Sequence, residues 1–244
     1  MTTARCTKNT IKRRRKLYEG KAKILYTTDE PKKLIQYFKD DATAFNGKKF
    51  DTITGKGAAN CAIASALFIY LAKKGIPTHF IKKLSPHEQL IKKVDIVPLE
   101  VIIRNVAAGS FSRRYGVKEG TILKKPTFEF SYKKDELGDP LINRYHIIAM
   151  GLATEKQLNT IRELAFAVNS ALQKFFTKVG VRLIDFKLEF GRIGSKIILA
   201  DEISPDTCRF WDSKTGRKLD KDRFRFNLGG VEGAYTEMLK RISS

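Results

Sequence analysis

The stretch 183-LIDFKLEFG-191 decides how this chain is read. As a strand it places Phe186, Leu188 and Phe190 on one face and Asp185, Lys187 and Glu189 on the other, because successive side chains point to opposite sides. The apolar face asks for a core. The polar face is either wet, the commonest meaning of such alternation, or it holds something. The stretch alone does not separate the two.

Working outward, 196-KIILA-200 reads as a partner strand across a Gly-containing turn, and the carboxylates Asp201 and Glu202 follow it. In an antiparallel pair Glu189 converges with one of them. Two or three carboxylate oxygens are what Mg²⁺ accepts beside nucleotide phosphates. The hairpin register is not set by the sequence, so Asp201 and Glu202 both stay open. Lys187, between carboxylates, is a plain salt bridge or a charge that offsets a phosphorylated intermediate.

N-terminal to this hairpin, Leu158, Ile161, Leu164, Ala165, Val168, Leu172, Phe175 and Phe176 recur at helical spacing, which predicts a long helix from Thr154 to near Gly180. Further upstream, Lys16–Thr28 reads as two short strands bending at Glu19-Gly20. One or two strands, a Gly- and Lys-containing loop and a helix from about Ala58 to Lys74 follow. The helix ends on Gly75-Ile76-Pro77, a Gly-then-Pro stop. Two strands, within Thr78–Ser85 and Glu88–Val97, complete a β-rich first part. Pro98 interrupts, and Leu99–Ser110 is a β-branched strand running into a small-residue turn and a short helix. A last helix is expected from about Gly230 to Ile242, after a charge-rich loop. The best boundary is near Val94–Leu99. The expected division is therefore a basic tail over 1–16, a small β-rich lobe over 17–97 and a larger α/β lobe over 98–244, with a ligand cleft between them.

The 244 residues suffice for a sizeable core, and 42% hydrophobic with 30% charged is an ordinary globular composition. No apolar run approaches the roughly 20 residues that span a bilayer. Lys plus Arg total 47 against 26 Asp plus Glu, a net +21 that points to anionic partners. The charges are scattered, many as Lys pairs, which argues for a solvated face and against nucleic acid as the partner. The run 12-KRRRK-16 would be the arm for RNA, and a solvated terminus is its ordinary meaning. Cys6, Cys61 and Cys208 form no disulfide framework, and the three histidines show no metal spacing.

Three further stretches carry chemistry. In 19-EGKAK-23, Gly20 lets backbone N–H groups approach a ligand, and Lys21 and Lys23 emerge together like two cations over a phosphate chain. In 104-RNVAAGS-110, Arg104 ends a strand and Ser110 stands at a helix start, a place for an anion or simply a capped turn. The run from Ser204 to Arg225 packs Asp206, Arg209, Asp212, Asp220, Lys221, Asp222, Arg223 and Arg225 together, as a loop around a phosphorylated ligand or an exposed ion-pair loop.

In this order and at these distances, LYEGKAK, RNVAAGS, LIDFKLEFG, ADEISPD, RFWD and DKDRFR closely resemble the SAICAR synthetase family of purine biosynthesis, from about Leu17 to Leu239. The resemblance implies an α+β, two-lobed fold with ATP between a small antiparallel β lobe and a larger α/β lobe. It implies a cytoplasmic ligase, a homodimer by the family's habit, joining carboxyaminoimidazole ribonucleotide (CAIR) to L-aspartate with ATP and Mg²⁺. Lys21 and Lys23, with Gly20, would face the ATP phosphates, and backbone at Asp95, Ile96 and Val97 the adenine. Glu189 and Asp201 would hold Mg²⁺. Arg104, Ser110 and Arg209 would bind the ribonucleotide phosphate. Asp185, Lys187, Asp206 and Arg225 would line the substrate and the reacting carboxylate, with Asp185 or Asp206 taking the amine proton. Two departures stand out. Val106 replaces a common second Arg, and Thr207-Cys208 stands where small or hydroxyl residues are usual. The competing expectations are a kinase-like phosphotransferase on another substrate and a basic nucleic-acid-binding protein.

Overall fold

Gly20 makes the first hairpin: its N–H bonds the Lys23 carbonyl at 2.8 Å and joins β1 (Arg13–Glu19) to β2 (Lys23–Thr28). The computed structural model describes residues 11–44 and 47–243. After β2 come β3 (Lys33–Phe38), the ribbon β4 (Asp41–Ala44) and β5 (Lys49–Thr52), α1 (Lys56–Lys73), β6 (Phe80–Lys83), β7 (Glu88–Lys92) and β8 (Asp95–Ile96). β9 (Leu99–Val106), α2 (Gly109–Tyr115), β10 (Ile122–Tyr132), β11 (Leu141–Ile142), α3 (Arg144–Ala149) and α4 (Glu155–Lys178) follow. The chain closes with β12 (Val181–Ile193), β13 (Lys196–Ala200), β14 (Cys208–Asp212), α5 (Asp222–Arg225) and α6 (Val231–Ser243).

The strands build an antiparallel sheet in the order β1-β2-β3-β7-β6 and a second antiparallel sheet in the order β11-β10-β9-β12-β13. β14 and β8 pair with opposite halves of β12. This is the expected α+β class, built on antiparallel sheets. One continuous apolar core spans both sheets, with Phe38 and Phe68 from the first part and Phe186, Phe190 and Phe210 from the second. α1 is its centre: Cys61, Ile63, Leu67, Phe68 and Leu71 have no exposed surface. Its start is capped from outside, since the Asp40 carboxylate accepts the N–H groups of Gly55 (3.2 Å) and Gly57 (2.8 Å), donors the helix itself cannot satisfy. α4 begins with a capping box between Thr154 and Gln157, and its buried stripe is the one the spacing implied.

Several expectations change. Arg13–Lys16, expected in the tail, belong to β1, where Arg13 pairs with Glu88 at 3.0 Å and lies 3.7 Å over the Tyr26 ring. The rest of the expected basic tail, including Cys6, lies outside the described residues. The stretches expected as loops contain β5, β14 and α5, and β8, β11 and α3 add to these. All are short, from two to six residues, so they carry too few repeats to register as periodicity and exist through what they pair with. No described helix is long and apolar enough to cross a membrane.

Candidate active site

β12 is the spine of the site. Phe186, Leu188 and Phe190 are 1% exposed, as the alternation requires of a core face. The opposite face is not wet: Asp185 and Glu189 are 4% and 3% exposed. β9 and β14 flank Asp185 and place an arginine opposite it on each side, in the registers Asp185↔Arg104 and Asp185↔Arg209. Arg104 Nη1 donates to Asp185 at 2.9 Å, and Arg209 Nη1 donates to both its oxygens at 3.1 and 2.9 Å. Arg104 also donates to Glu129 (2.7 Å) and Ser110 (3.1 Å), and Arg209 to Asp222 (2.7 Å), which in turn takes a 2.6 Å bond from Arg225. A buried guanidinium group, Arg104, and a half-buried one, Arg209, are thereby fixed in direction, with the α2 N-terminus beside them. Gly109 at that turn has a φ of 55°, and a β-carbon there would collide with the Arg209 guanidinium. Only glycine lets strand and arginine meet.

Further along β12 the charges alternate in sign. Lys187 Nζ lies 2.8 Å from Glu100 and from Glu189, and 4.0 Å from Asp201. Lys133 adds a second cation to Glu189 at 2.9 Å. The register Glu189↔Ala200 puts Asp201 just past Glu189's partner, in left-handed backbone (φ 60°), a conformation that costs free energy in any residue but glycine and collects at functional sites. Lys23 donates to Asp201 and lies 2.7 Å from Glu202. Burial works against the Lys187 charge, but Glu189, Asp201 and Glu100 overcome it and raise the ammonium well above the ordinary lysine range. Burial likewise opposes the Asp201 carboxylate, and Lys23 and Lys187 hold it well below the usual range.

A third cluster surrounds Asp206. The fully buried Lys56 donates to it at 2.6 Å, and Tyr235 donates to its other oxygen at 2.6 Å. Against the cost of burial, Lys221, Lys56 and Tyr235 keep this carboxylate ionised well below its normal pKa. Lys221 itself is 3.9 Å from Asp206, and burial, with Lys56 and Arg225 nearby, pushes its amine down from the ordinary lysine value.

These clusters line two abutting cavities. One, of about 350 Å³, holds Arg104, Ser110, Asp185, Arg209 and Arg225. The other, of about 390 Å³, holds Gly20, Lys23, Lys133, Glu189, Asp201 and Glu202. Lys21, Glu100, Lys187, Asp206, Thr207 and Lys221 line both and form the wall between them. A third, largely apolar slot of about 340 Å³ opens beside the second, lined by Leu25, Leu34, Ile91, Val94 and Ile96. Every site residue expected from the sequence except Asp95 and Val97 lines one of these spaces. Val97 is fully buried, gives its N–H to Phe190 and takes Leu99's N–H on its carbonyl. The exposed Asp95 side chain pairs with Arg192 at 3.3 Å, and its backbone runs in β8 against β12. Val106, the departure from the common Arg, is 2% exposed and packs with Ala108, Ile184 and Trp211, away from any anion. Cys208 is buried, and burial pushes its thiol far up, which removes it as a nucleophile.

Sequence reasoning missed Glu100, Lys133, Lys56 and Tyr235, and it named Lys221 and Asp222 in the charged run without giving either a role. One of them carried a signal: in 99-LEVIIR-104, Glu100 shares the polar strand face of Arg104 at the two-residue repeat. Lys56 and Tyr235 come from helices distant in the chain and had none.

A family model described as SAICAR synthetase matches residues 16–242. A phosphoribosylaminoimidazole-succinocarboxamide synthase from Clostridium botulinum (strain Alaska E43 / Type E3) is 62% identical over 228 residues, covering 93% of this chain and 97% of that protein. The crystal structure of the enzyme of that name from Ehrlichia chaffeensis superposes with a TM-score of 0.92 at 48% identity, over 94% of this chain and 98% of that one. A SAICAR synthetase in complex with ADP gives 0.90 at 48% identity, over 93% and 97%.

Proposed function

This chain belongs to the SAICAR synthetase family, and from that membership we propose how its residues divide the work. It is an ATP-dependent ligase of purine biosynthesis. It joins the CAIR carboxylate to the amino group of L-aspartate through an acyl phosphate, and releases SAICAR, ADP and phosphate. The observation that carries the assignment of roles is the pair of abutting cavities with Lys187 in their shared wall.

A carboxylate resists attack by an amine because it is anionic and has no good leaving group. One CAIR carboxylate oxygen takes the γ-phosphoryl group as the bond to ADP breaks. The aspartate nitrogen then attacks the carboxyl carbon, the C–N bond forms, and phosphate leaves with the former carboxylate oxygen. The amine proton passes to a base or to solvent. The cavity with Lys23, Glu189 and Asp201 suits the triphosphate, and the one with Arg104, Ser110, Arg209 and Arg225 suits the ribonucleotide and its phosphate. Lys21 and Lys23 offset phosphate charge. Lys187 reaches both sides and stabilises the carboxyl oxygens as charge moves.

Asp185 and Asp206 act by holding cations rather than by taking the amine proton. Asp185 is bridged to two arginines, and Asp206 is saturated by Lys56 and Tyr235. Lys221 is the wall's least engaged cation among the described residues, and it is the group we assign to an aspartate carboxylate.

Glu189 and Asp201 fit Mg²⁺: their oxygens are hard donors held by lysines that a cation would displace, and the described residues offer no complete protein cage, as befits an ion that takes its other ligands from phosphate and water. Bound there, Mg²⁺ would screen the phosphate oxygens and favour phosphoryl transfer. Glu202 turns instead to Lys23 and to Ser204, which donates to it at 2.6 Å.

We also infer that the chain divides at 97/98 into an ATP-covering and a substrate-binding part, works in the cytoplasm and pairs as a homodimer. The exposed Tyr145, Ile148 and Met150 on and after α3, with Leu141 on β11, support the last. The test of the reaction is coupled ADP release by purified protein. It should require ATP, Mg²⁺, CAIR and aspartate together. ADP release independent of CAIR or aspartate would overturn the ligase reading in favour of another phosphotransferase.

A further inference from the structure

The apolar slot contains a polar side chain that nothing in the protein satisfies. His79 is 2% exposed and lies just before β6. Its backbone is spent, since its N–H donates to the Leu199 carbonyl (2.8 Å) and its own carbonyl accepts from Lys92 (2.7 Å). Its ring packs edge-on to Phe68 at 5.2 Å between centroids. Neither ring nitrogen has a hydrogen-bond partner among the described residues. Buried polar atoms are nearly always paired, because an unpaired one forfeits its bond to water and gains nothing. An orphaned pair on the wall of a cavity points to a ligand.

The ring's chemistry narrows that ligand. Burial, with Lys23 and Lys92 near, pushes the imidazole pKa down to about 3, so the ring is neutral and carries one N–H donor and one bare nitrogen acceptor. The slot's charged neighbours offer little else as an acceptor. Lys23, Lys92 and Lys133 are donors only, and Glu189 and Asp201 are already occupied by lysines. His79 is thus a neutral acceptor in a slot rich in donors. The slot is also continuous with the phosphate-side cavity, since Tyr18, Lys23, Lys133, Glu189 and Asp201 line both. A nucleotide with its phosphates on Lys23 would have its flat base among Leu25, Leu34 and Ile91.

We propose that His79 accepts a hydrogen bond from the exocyclic amino group of the adenine base. The inference rests on the ATP reading above and goes beyond it by naming the group that reads the base edge.

The test is calorimetric binding of ADP and of purine riboside diphosphate, which has hydrogen in place of the amino group, to wild type, His79→Leu and His79→Gln. Wild type should bind ADP about tenfold more tightly than the des-amino nucleotide, the size of one buried hydrogen bond. His79→Leu should bind the two alike, and His79→Gln, which keeps an acceptor, should recover part of the preference. Equal binding of the two nucleotides by wild type overturns the proposal without any variant, and so does an undiminished preference in His79→Leu. Wild type that binds neither nucleotide would instead overturn the ATP reading on which it rests.

Discussion

Lys187 shows how a residue acquires a role from its neighbours. Three carboxylates lie within 4.0 Å of its ammonium, so it stays charged through the catalytic pH range, a fixed positive point in the wall between the two cavities. Lys187→Ala should leave the fold in place, because Lys133 still neutralises Glu189, and should lower kcat by about 10²- to 10³-fold, the usual loss for one charge-stabilising donor. Circular dichroism with steady-state ADP release checks both halves, and near-wild-type turnover would refute the role. Lys221 makes a different expectation. Lys221→Ala should raise the KM for aspartate by about tenfold or more, as loss of a charged contact does, while the KM values for ATP and CAIR hold within about twofold. A rise confined to CAIR would reassign this lysine to the ribonucleotide. At this scale the polar face of β12 was legible as a pattern, and its residues could be named. That Asp185 and Glu189 are buried was not, because of the cations that permit it the opening stretch contains only Lys187, while Arg104, Arg209 and Lys133 lie elsewhere in the chain.

At the scale of elements, β14 carries the main lesson. The run from Ser204 to Arg225 has the composition of a loop, yet Cys208–Asp212 is a strand because β12 offers it a ladder. That pairing is what sets Arg209 opposite Asp185. The turn after β14 is held by Asp220, a fully buried carboxyl that accepts the N–H groups of Phe210 and Asp222, each at 2.8 Å. Burial first, and the Asp222 charge second, raise its pKa from 3.8 to about 7. The folded state therefore binds this proton more tightly than the unfolded chain. Its contribution to stability is complete below about pH 4 and is lost as pH rises through 7. Urea unfolding between pH 5 and 8 should show that decline. Asp220→Asn, which cannot ionise, should flatten it: the variant should cost about 1–3 kcal/mol at pH 5, because one backbone N–H loses its acceptor, and the gap to wild type should close as pH rises toward 8. An unchanged slope in the variant would remove Asp220 as the source. The long elements, α4 and β12, were readable because each repeats its period several times, whereas β5, β8 and β11 are too short to do so.

For the whole molecule, ligand binding and assembly are the testable consequences. A nucleotide bound between sheets that share one core should stabilise all of it together. At 100 times its Kd, ADP should add about 2.7 kcal/mol, and for a chain of this size raise Tm by roughly 5–10 °C. A melting curve indifferent to ADP would contradict nucleotide binding at the cleft. If the apolar side chains around α3 are covered by a second copy, light scattering should give twice the 27.7 kDa protomer mass, and Tyr145→Arg should shift it toward one. The sequence by itself determined the α+β class, the long helix, the hairpin of β12 and β13, and most of the residues that line the cavities. Each of these follows from local periodicity or from ordered motifs. Only the tertiary structure decided which carboxylate meets which cation: that Asp201 rather than Glu202 shares Lys187 with Glu189, that Lys56 and Tyr235 saturate Asp206, and that His79 has no partner. Those outcomes depend on strand register and on helices brought together across the core, and pair energies of buried charges turn on distances of a few ångströms that no linear spacing specifies.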